Sequence, residues 1–199
     1  MAVKSSFKNM VICLFAICLV CSGLLAGVYA LTKEPIAQAE KAKNEAAIKE
    51  VLPDTAVAIE EEKTIEYKGG TYTYNRAFDK DGNPAGCAID VESSGFGGPI
   101  KIKVGFDKDG VIWNTKVLSQ SETPGLGAKC VEPAFAEQFQ GKNPNKEPLA
   151  VRKKGDKNGN IDAITASTIT SRAYVDGVAL AAEVYNAIGQ TPMPLDKEE

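Results

Sequence analysis

An uncharged apolar run near the N-terminus constrains this chain more than any other feature. The run "MVICLFAICLVCSGLLAGVYAL", residues 10–31, holds 22 residues without a charge. At 1.5 Å per residue, a helix of that length covers a bilayer hydrocarbon core of about 30 Å. We therefore predict one transmembrane helix at residues 10–31, so that the membrane is a direct partner of the chain.

The charges that flank this run predict its orientation. Lys4 and Lys8 precede it together with the amino terminus, whereas Lys33 and Glu34 follow it in rough balance. Positive residues favour the cytoplasmic side of a membrane. We therefore expect the helix to cross the inner (cytoplasmic) membrane with the N-terminus in the cytoplasm. The C-terminal domain is then expected outside the cytoplasm, on the periplasmic side.

Two alternatives exist for the same segment. "VYA" before Leu31 could serve as a signal-peptide cleavage site, but the apolar region of a signal peptide usually spans about 7–15 residues, and this run is longer. A lipoprotein is disfavoured because Val20 stands where a small residue should precede Cys21. The sequence favours an uncleaved anchor.

The composition excludes several kinds of chemistry. The 199 residues include no histidine, and the net charge is −3. Without histidine there is no His-based triad, no His general base and no imidazole metal ligand. We assign no side chain a catalytic role, and we predict no metal site and no nucleic-acid partner, since an acidic chain gives a nucleic acid no electrostatic support. Chemistry must come from carboxylates, hydroxyls, thiols or a cofactor.

The cysteines fall into two groups. Cys13, Cys18 and Cys21 lie in the predicted anchor, where thiols behave as small apolar groups. Cys87 and Cys130 lie in the presumed outside domain and could pair there or remain thiols. The sequence leaves that choice open.

The rest of the chain predicts an α+β domain preceded by a helical spacer. The segment "TKEPIAQAEKAKNEAAIKEVLP" is typical of a helix that begins near Pro35 and stops at Pro53. Its thin apolar stripe indicates a spacer more than a core helix. We divide the chain into a cytoplasmic N-terminus (1–9), a transmembrane helix (10–31), a juxtamembrane helical spacer (32–62), a folded domain of antiparallel or mixed sheet with flanking helices (63–190) and a C-terminal tail (191–199).

Strands and turns dominate the first half of the folded domain. A hairpin is predicted around Gly69-Gly70, and "IKIKVGF" places its alternate apolar residues on one face. The related stretches "AFDKDG", "GFDKDG" and "GDKNGNID" are interpreted as turns, because each lacks ligands that a calcium loop needs. Helices are predicted at residues 132–141, starting with Pro133, and from about Ser171 to Ile188, with the short strand "PLAVRKK" between them.

A cluster of hydroxyls precedes the final helix. In "ITASTITSRA", residues 164–173, five side chains carry a hydroxyl: Thr165, Ser167, Thr168, Thr170 and Ser171. A helix N-terminus offers free N–H groups and a partial positive charge, which suit a phosphate. The alternative is ordinary capping, with Thr168, Thr170 or Ser171 as the N-cap residue.

A glycine-rich turn is the second candidate. "SETPGLGAK", residues 121–129, combines Pro124-Gly125 with Gly127, a pattern that brings backbone amides close to whatever lies opposite. It lacks the spacing of a phosphate-binding P-loop. Alone, it predicts only a tight turn.

Taken together, these features resemble a known family. The anchor, the spacer ending "VLP", the strand region, "ETPGLG" and then "D-x-x-T-A-S-T-I-T-S" occur in the order found in the FMN-binding G subunit of the Rnf ion-pumping electron-transport complex. The chain is also similar to the C subunit of the sodium-pumping NADH:quinone oxidoreductase, which is usually longer. In that family the closing motif carries FMN on a threonine through a phosphoester bond. Aligned on Asp162, that acceptor is Thr168.

The resemblance implies an electron-transfer subunit with covalent FMN, in a membrane complex that links reduced ferredoxin and NAD to ion translocation. It implies the other Rnf subunits as partners, and a flavin transferase that uses FAD and magnesium. The alternatives are the quinone-reductase subunit and an anchored binding or scaffold domain without redox work. The implied cofactor-binding residues are the acceptor Thr168, the neighbouring phosphate donors Thr165, Ser167, Thr170 and Ser171, and Glu122, Thr123, Gly125, Leu126 and Gly127 toward the flavin ring.

The chain departs from the family motif at two positions. Ala166 and Ser167 stand where the family usually has Gly and Ala. If the first position requires a positive φ, Ala166 costs about 1 kcal/mol there. Ser167 places a second hydroxyl next to the acceptor. Asp162 is expected to orient the loop or engage the transferase instead of contacting the flavin.

Overall fold

The N-terminal element is one long helix, α1, at Phe7–Val51. The computed structural model describes residues 7–152 and 159–190. Every side chain from residue 7 to residue 43 is exposed, and the helix is long and apolar enough, by length and composition, to cross a membrane. An exposed apolar helix of this kind fits a single-pass anchor.

Pro35 lies inside α1, which corrects the prediction that a separate helix begins there. A proline in a helix removes one hydrogen bond, here to the carbonyl of Leu31, but a long helix can continue through it. The predicted end is confirmed: α1 stops at Val51, two residues before Pro53, because a residue before proline is pushed away from the helical conformation.

The chain forms two compact units, Met1–Lys43 and Asn44–Glu199. The second contains a six-stranded antiparallel sheet in which β3 pairs with β1, β2 and β4, β4 with β5, and β5 with β6. A parallel pair of two-residue strands and two further helices complete it, so the predicted α+β class is confirmed. The element bounds are β1 Ala58–Ile59, β2 Lys63–Tyr67, β3 Gly70–Phe78, β4 Pro84–Ser94, β5 Pro99–Asp107, β6 Ile112–Ser119, α2 Pro133–Ala136, β7 Val151–Arg152, β8 Ile161–Asp162 and α3 Thr168–Gln190.

The predicted hairpin joins β2 to β3. Its two turn residues are Lys68 (φ 49°) and Gly69 (φ 80°), with Tyr67 opposite Gly70. Positive φ at both turn positions gives the backbone twist that matches the right-handed twist of the strands. The hairpin is confirmed, with the turn one residue earlier than predicted.

The main core lies between the sheet and α3. As predicted, alternate residues of β5 share one face, and Ile100, Ile102, Val104 and Phe106 are fully buried. They belong to one apolar cluster with the inner stripe of α3. Burying each such side chain stabilises the fold by about 1.5–3 kcal/mol relative to exposure.

The other face of the sheet is covered by the end of α1. Ile48, Val51 and Leu52 pack with Ala77 and Ala88 in a second apolar cluster. The backbones approach so closely that a Cβ on Gly105 would clash with the Val51 carbonyl oxygen. The helix predicted as a spacer therefore contributes its last turns to the core, a contact that its thin apolar stripe did not indicate.

The two "FDKDG" stretches are turns, as predicted. In each, the first aspartate, Asp79 or Asp107, accepts N–H groups through Oδ1 from the second and fourth residues after it. Among the described residues no group of three or more His, Cys, Asp or Glu side chains could hold a metal ion. The first half of "GDKNGNID" lies outside the described residues.

Two details of the helices differ from the predictions, and the open question of the cysteines is answered. The helix at 132–141 is split into α2 and a 3-10 turn at Glu137–Phe139. Cys87 and Cys130 are both buried free thiols. The final helix starts at Thr168, three residues before the predicted Ser171, because the N–H of Ser171 already donates to the carbonyl of Ser167 at 3.0 Å.

Candidate functional site

The two sequence stretches that carry candidate chemistry meet in one cleft of about 420 Å³. The first stretch contributes Glu122, Thr123, Leu126 and Gly127, and the second contributes residues 166–170. Phe96, from the loop between β4 and β5, completes the lining. A cleft of this size lies in the usual range for small-molecule and cofactor sites.

The loop before α3 is closed by Ser171. Its hydroxyl donates to the carbonyl of Ser167 at 2.9 Å and accepts the N–H of Ile164 at 2.9 Å. Within this loop Ala166 has φ 61°, the left-handed conformation that glycine adopts more readily. The conformation anticipated at this departure from the family motif is therefore present.

Glu122 ties the glycine-rich turn to α3. Its Oε2 accepts the hydroxyl proton of Thr170 at 2.7 Å, and its Oε1 accepts the N–H of Gly97 at 3.0 Å. Both side chains are buried, Glu122 with 5% and Thr170 with 1% of its surface exposed. One carboxylate thus fastens three segments that lie far apart in the sequence.

Gly127 makes this junction possible. A Cβ there would clash with Glu122 Oε2 and would lie 2.7 Å from Thr170 Oγ1. Gly125, in contrast, is exposed, lies outside the cleft lining and has open space around it. Its φ of 77° is what requires glycine. The position predicted to lie toward the ring is thus a turn position, and Gly127 is the close-approach position.

Thr168 lies at the edge of the cleft where the final helix begins. It is half-buried, lines the cleft and is the first residue of α3. Within the part of the chain that the structure describes, its hydroxyl has no hydrogen-bond partner. The first-turn N–H groups of a helix have no intrahelical acceptor and carry a partial positive charge. Thr165, in contrast, is exposed and lies outside the cleft lining.

An apolar rim surrounds the cleft. Phe96, Leu126 and Ile169 are exposed to 70%, 43% and 55% of their surfaces. Sequence analysis missed Phe96 and Ile169. Phe96 was detectable in principle, since an aromatic residue within "SGFGGP" has no strand to bury it, and exposed aromatics often bind ligands.

Two titratable groups next to the motif stretches have shifted pKa values. Asp162 pairs with Arg152, Oδ1 to Nε, at 2.7 Å, and that hydrogen bond lowers the pKa of the exposed aspartate. Burial, followed by the negative charge of Glu122, raises the pKa of the Cys130 thiol to about 11. Cys130 is therefore a neutral core group at physiological pH.

A second, larger cavity of about 660 Å³ lies elsewhere in the domain. Its lining includes Arg76, Phe78, Lys108, Tyr185 and Ile188. None of the residues predicted from the motifs lines it. The smaller cleft is the candidate site because it combines a helix N-terminus, a hydroxyl and the glycine-rich turn.

Two family models match the chain. A model described as an FMN-binding domain matches residues 95–183, which include the whole candidate cleft. A model described as the RnfG N-terminal region matches residues 1–51, which include all of α1.

Relatives and solved structures agree with these matches. The G subunit of the ion-translocating oxidoreductase complex of Shewanella piezotolerans is 33% identical over 201 residues, covering 92% of this chain and 91% of the relative. The G subunit of the proton-translocating ferredoxin:NAD(+) oxidoreductase complex of Clostridium ljungdahlii is 31% identical, covering 83% and 84%. The crystal structure of the C subunit of the Na(+)-translocating NADH-quinone reductase of Parabacteroides distasonis has the same fold, with a TM-score of 0.55 and 22% identity over 76% of this chain and 84% of that one.

Proposed function

The chain belongs to the family of G subunits of ion-translocating oxidoreductase complexes, and we propose that it carries FMN esterified through its phosphate to Thr168. The observation that carries this proposal is the position of Thr168. Thr168 is the first residue of α3 and lines the cleft that both motif stretches share. Its hydroxyl has no hydrogen-bond partner among the described residues.

The residues present fit FMN. The N-terminus of α3, with its free first-turn N–H groups, suits the phosphate. The rim of Phe96, Leu126 and Ile169 suits the flat, largely apolar isoalloxazine ring. The absence of histidine is no obstacle, because a bound flavin supplies the redox chemistry and the protein binds, orients and tunes it.

The predicted phosphate donors have different roles in this proposal. Thr170 and Ser171 donate their hydroxyl protons within the protein, so we assign them to hold the loop and the start of the helix. The first-turn N–H groups are the remaining phosphate donors. Ser167 lines the cleft beside Thr168 and is the alternative acceptor hydroxyl.

Attachment would require a transferase. Thr168 would supply the nucleophilic oxygen and would give up its hydroxyl proton to a base of the transferase. FAD would supply the FMN phosphoryl group, with AMP as the leaving group and magnesium stabilising the phosphate charges. The half-buried position of Thr168 leaves its oxygen open to the cleft.

In the cell, the protein would relay electrons between other subunits of a ferredoxin:NAD oxidoreductase complex. This is the activity that relatives of the G-subunit family are named for. α1 would anchor it, with the folded domain outside the cytoplasmic membrane. The sequence relatives are G subunits, whereas the quinone-reductase subunit shares the fold at 22% identity, which favours the ferredoxin:NAD complex.

Fluorescence on a denaturing gel tests the attachment residue. The chain is produced with the flavin transferase, and Thr168→Ala is compared with Ser167→Ala. We expect Thr168→Ala to lose the fluorescent band and Ser167→Ala to retain it. The reverse pattern would move the attachment to Ser167. A dark band from the unmutated chain would contradict the proposal.

A further inference from the structure

We propose that Glu122, which forms no ion pair with a described residue, acts as a fixed negative charge at the flavin cleft and lowers the reduction potential of the bound FMN. The inference rests on the proposed function, since it needs flavin in that cleft. It adds a role for a residue that otherwise would only hold the turn in place.

The first step concerns the charge state of Glu122. Each of its oxygens accepts a hydrogen bond from a neutral donor, Oε1 from the N–H of Gly97 and Oε2 from the hydroxyl of Thr170. A backbone N–H can only donate, so it stabilises the carboxylate form. The side chain is 5% exposed yet lines the cleft. The two hydrogen bonds that Glu122 accepts therefore favour a charged side chain, in a site that is largely shielded from water.

The second step concerns compensation. Among the described residues, none of the ion pairs includes Glu122. The arginine near the acceptor loop, Arg152, is paired with Asp162. Lys129, in the same segment as Glu122, is exposed, where water and salt screen its charge. The negative charge therefore acts on whatever occupies the cleft.

The third step concerns the consequence for a flavin. Reduction adds electrons to the isoalloxazine ring, and a nearby fixed negative charge disfavours that gain in a weakly screened site. The field of Glu122 already reaches the interior, since it contributes to the raised pKa of the buried Cys130 thiol. A lower potential follows for the flavin.

The test measures the midpoint potential of the flavinylated full-length chain in detergent. Glu122→Gln keeps the shape and can still accept the Gly97 N–H, but it removes the charge. Glu122→Asp keeps the charge. Glu132→Gln, at an exposed residue outside the cleft lining, changes the net charge equally and serves as the matched control. The melting temperature of each unflavinated chain reports on folding.

We expect Glu122→Gln to shift the potential to more positive values, while Glu122→Asp and Glu132→Gln stay near the unmutated chain. Equal potentials for flavin-loaded Glu122→Gln and unmutated protein would overturn the inference and leave the attachment at Thr168 standing. If Glu122→Gln does not fold or bind flavin, the potential of Glu122→Asp decides. A potential near that of the unmutated chain supports the role of the charge. A clear shift, although the charge is kept, would make Glu122 a structural group and overturn the inference. An unmutated chain without flavin would instead refute the proposed function.

Discussion

The five hydroxyls between residues 165 and 171 differ in whether their protons already have acceptors. Thr170 and Ser171 donate to Glu122 and to the Ser167 carbonyl, and Thr165 is exposed. Only Ser167 and Thr168 combine a position in the cleft with a hydroxyl available for ester formation. The choice between these two is the main question at the scale of single residues.

Ala166 yields a prediction about stability at the same scale. Its φ of 61° is strained for a residue with a Cβ, so Ala166→Gly should stabilise the unflavinated chain by up to about 1 kcal/mol. The denaturant midpoint measures this. Ala163→Gly is the matched control, because Ala163 is not among the described non-glycine residues with positive φ, and it should destabilise. Equal destabilisation by both changes would show that Ala166 is unstrained.

Local sequence patterns predicted most elements, and long-range contacts explain the misses. The alternation in β5 and the turn chemistry at Gly69 are local, and both are confirmed. The hydrogen-bond partner of the Thr170 hydroxyl lies elsewhere in the chain, at Glu122, 48 residues away. The packing of Val51 in α1 against Gly105 is likewise a contact between residues that lie far apart in the sequence. A pattern of residue types does not encode such partners.

At the scale of elements, the glycine-rich turn predicts a contrast between its two glycines. Gly127→Val should displace Glu122 or Thr170, since even a Cβ would clash with the carboxylate, and flavin attachment should fall sharply. Gly125→Ala should cost about 1 kcal/mol of backbone strain and leave attachment intact. In-gel fluorescence and melting temperature measure the two effects. Loss of flavin from Gly125→Ala with full attachment in Gly127→Val would contradict this assignment of roles.

At the scale of the whole molecule, the family and the α+β class predicted from the sequence are confirmed. A long apolar helix followed by a compact flavin domain suits a subunit that holds a redox group beside a membrane. The direction in which the chain crosses that membrane follows from its flanking lysines and stays a prediction.

The topology prediction is that α1 remains uncleaved, with residues 33–199 outside the cytoplasm. Protease added to intact cells or spheroplasts should degrade the domain and leave a short N-terminal fragment. A cytoplasmic marker protein is the control for cell integrity. A mature N-terminus near Leu31, or a domain protected until the cells are lysed, would be incompatible with this topology.

The most direct test of the central claim is fragment-ion mass spectrometry of the protein purified from its native membrane. The peptide that contains residues 164–172 should carry the mass of FMN less one water, and the fragment ions should place it on Thr168. An unmodified peptide, or a modification on Ser167, would contradict the assignment of Thr168 as the flavin-bearing residue.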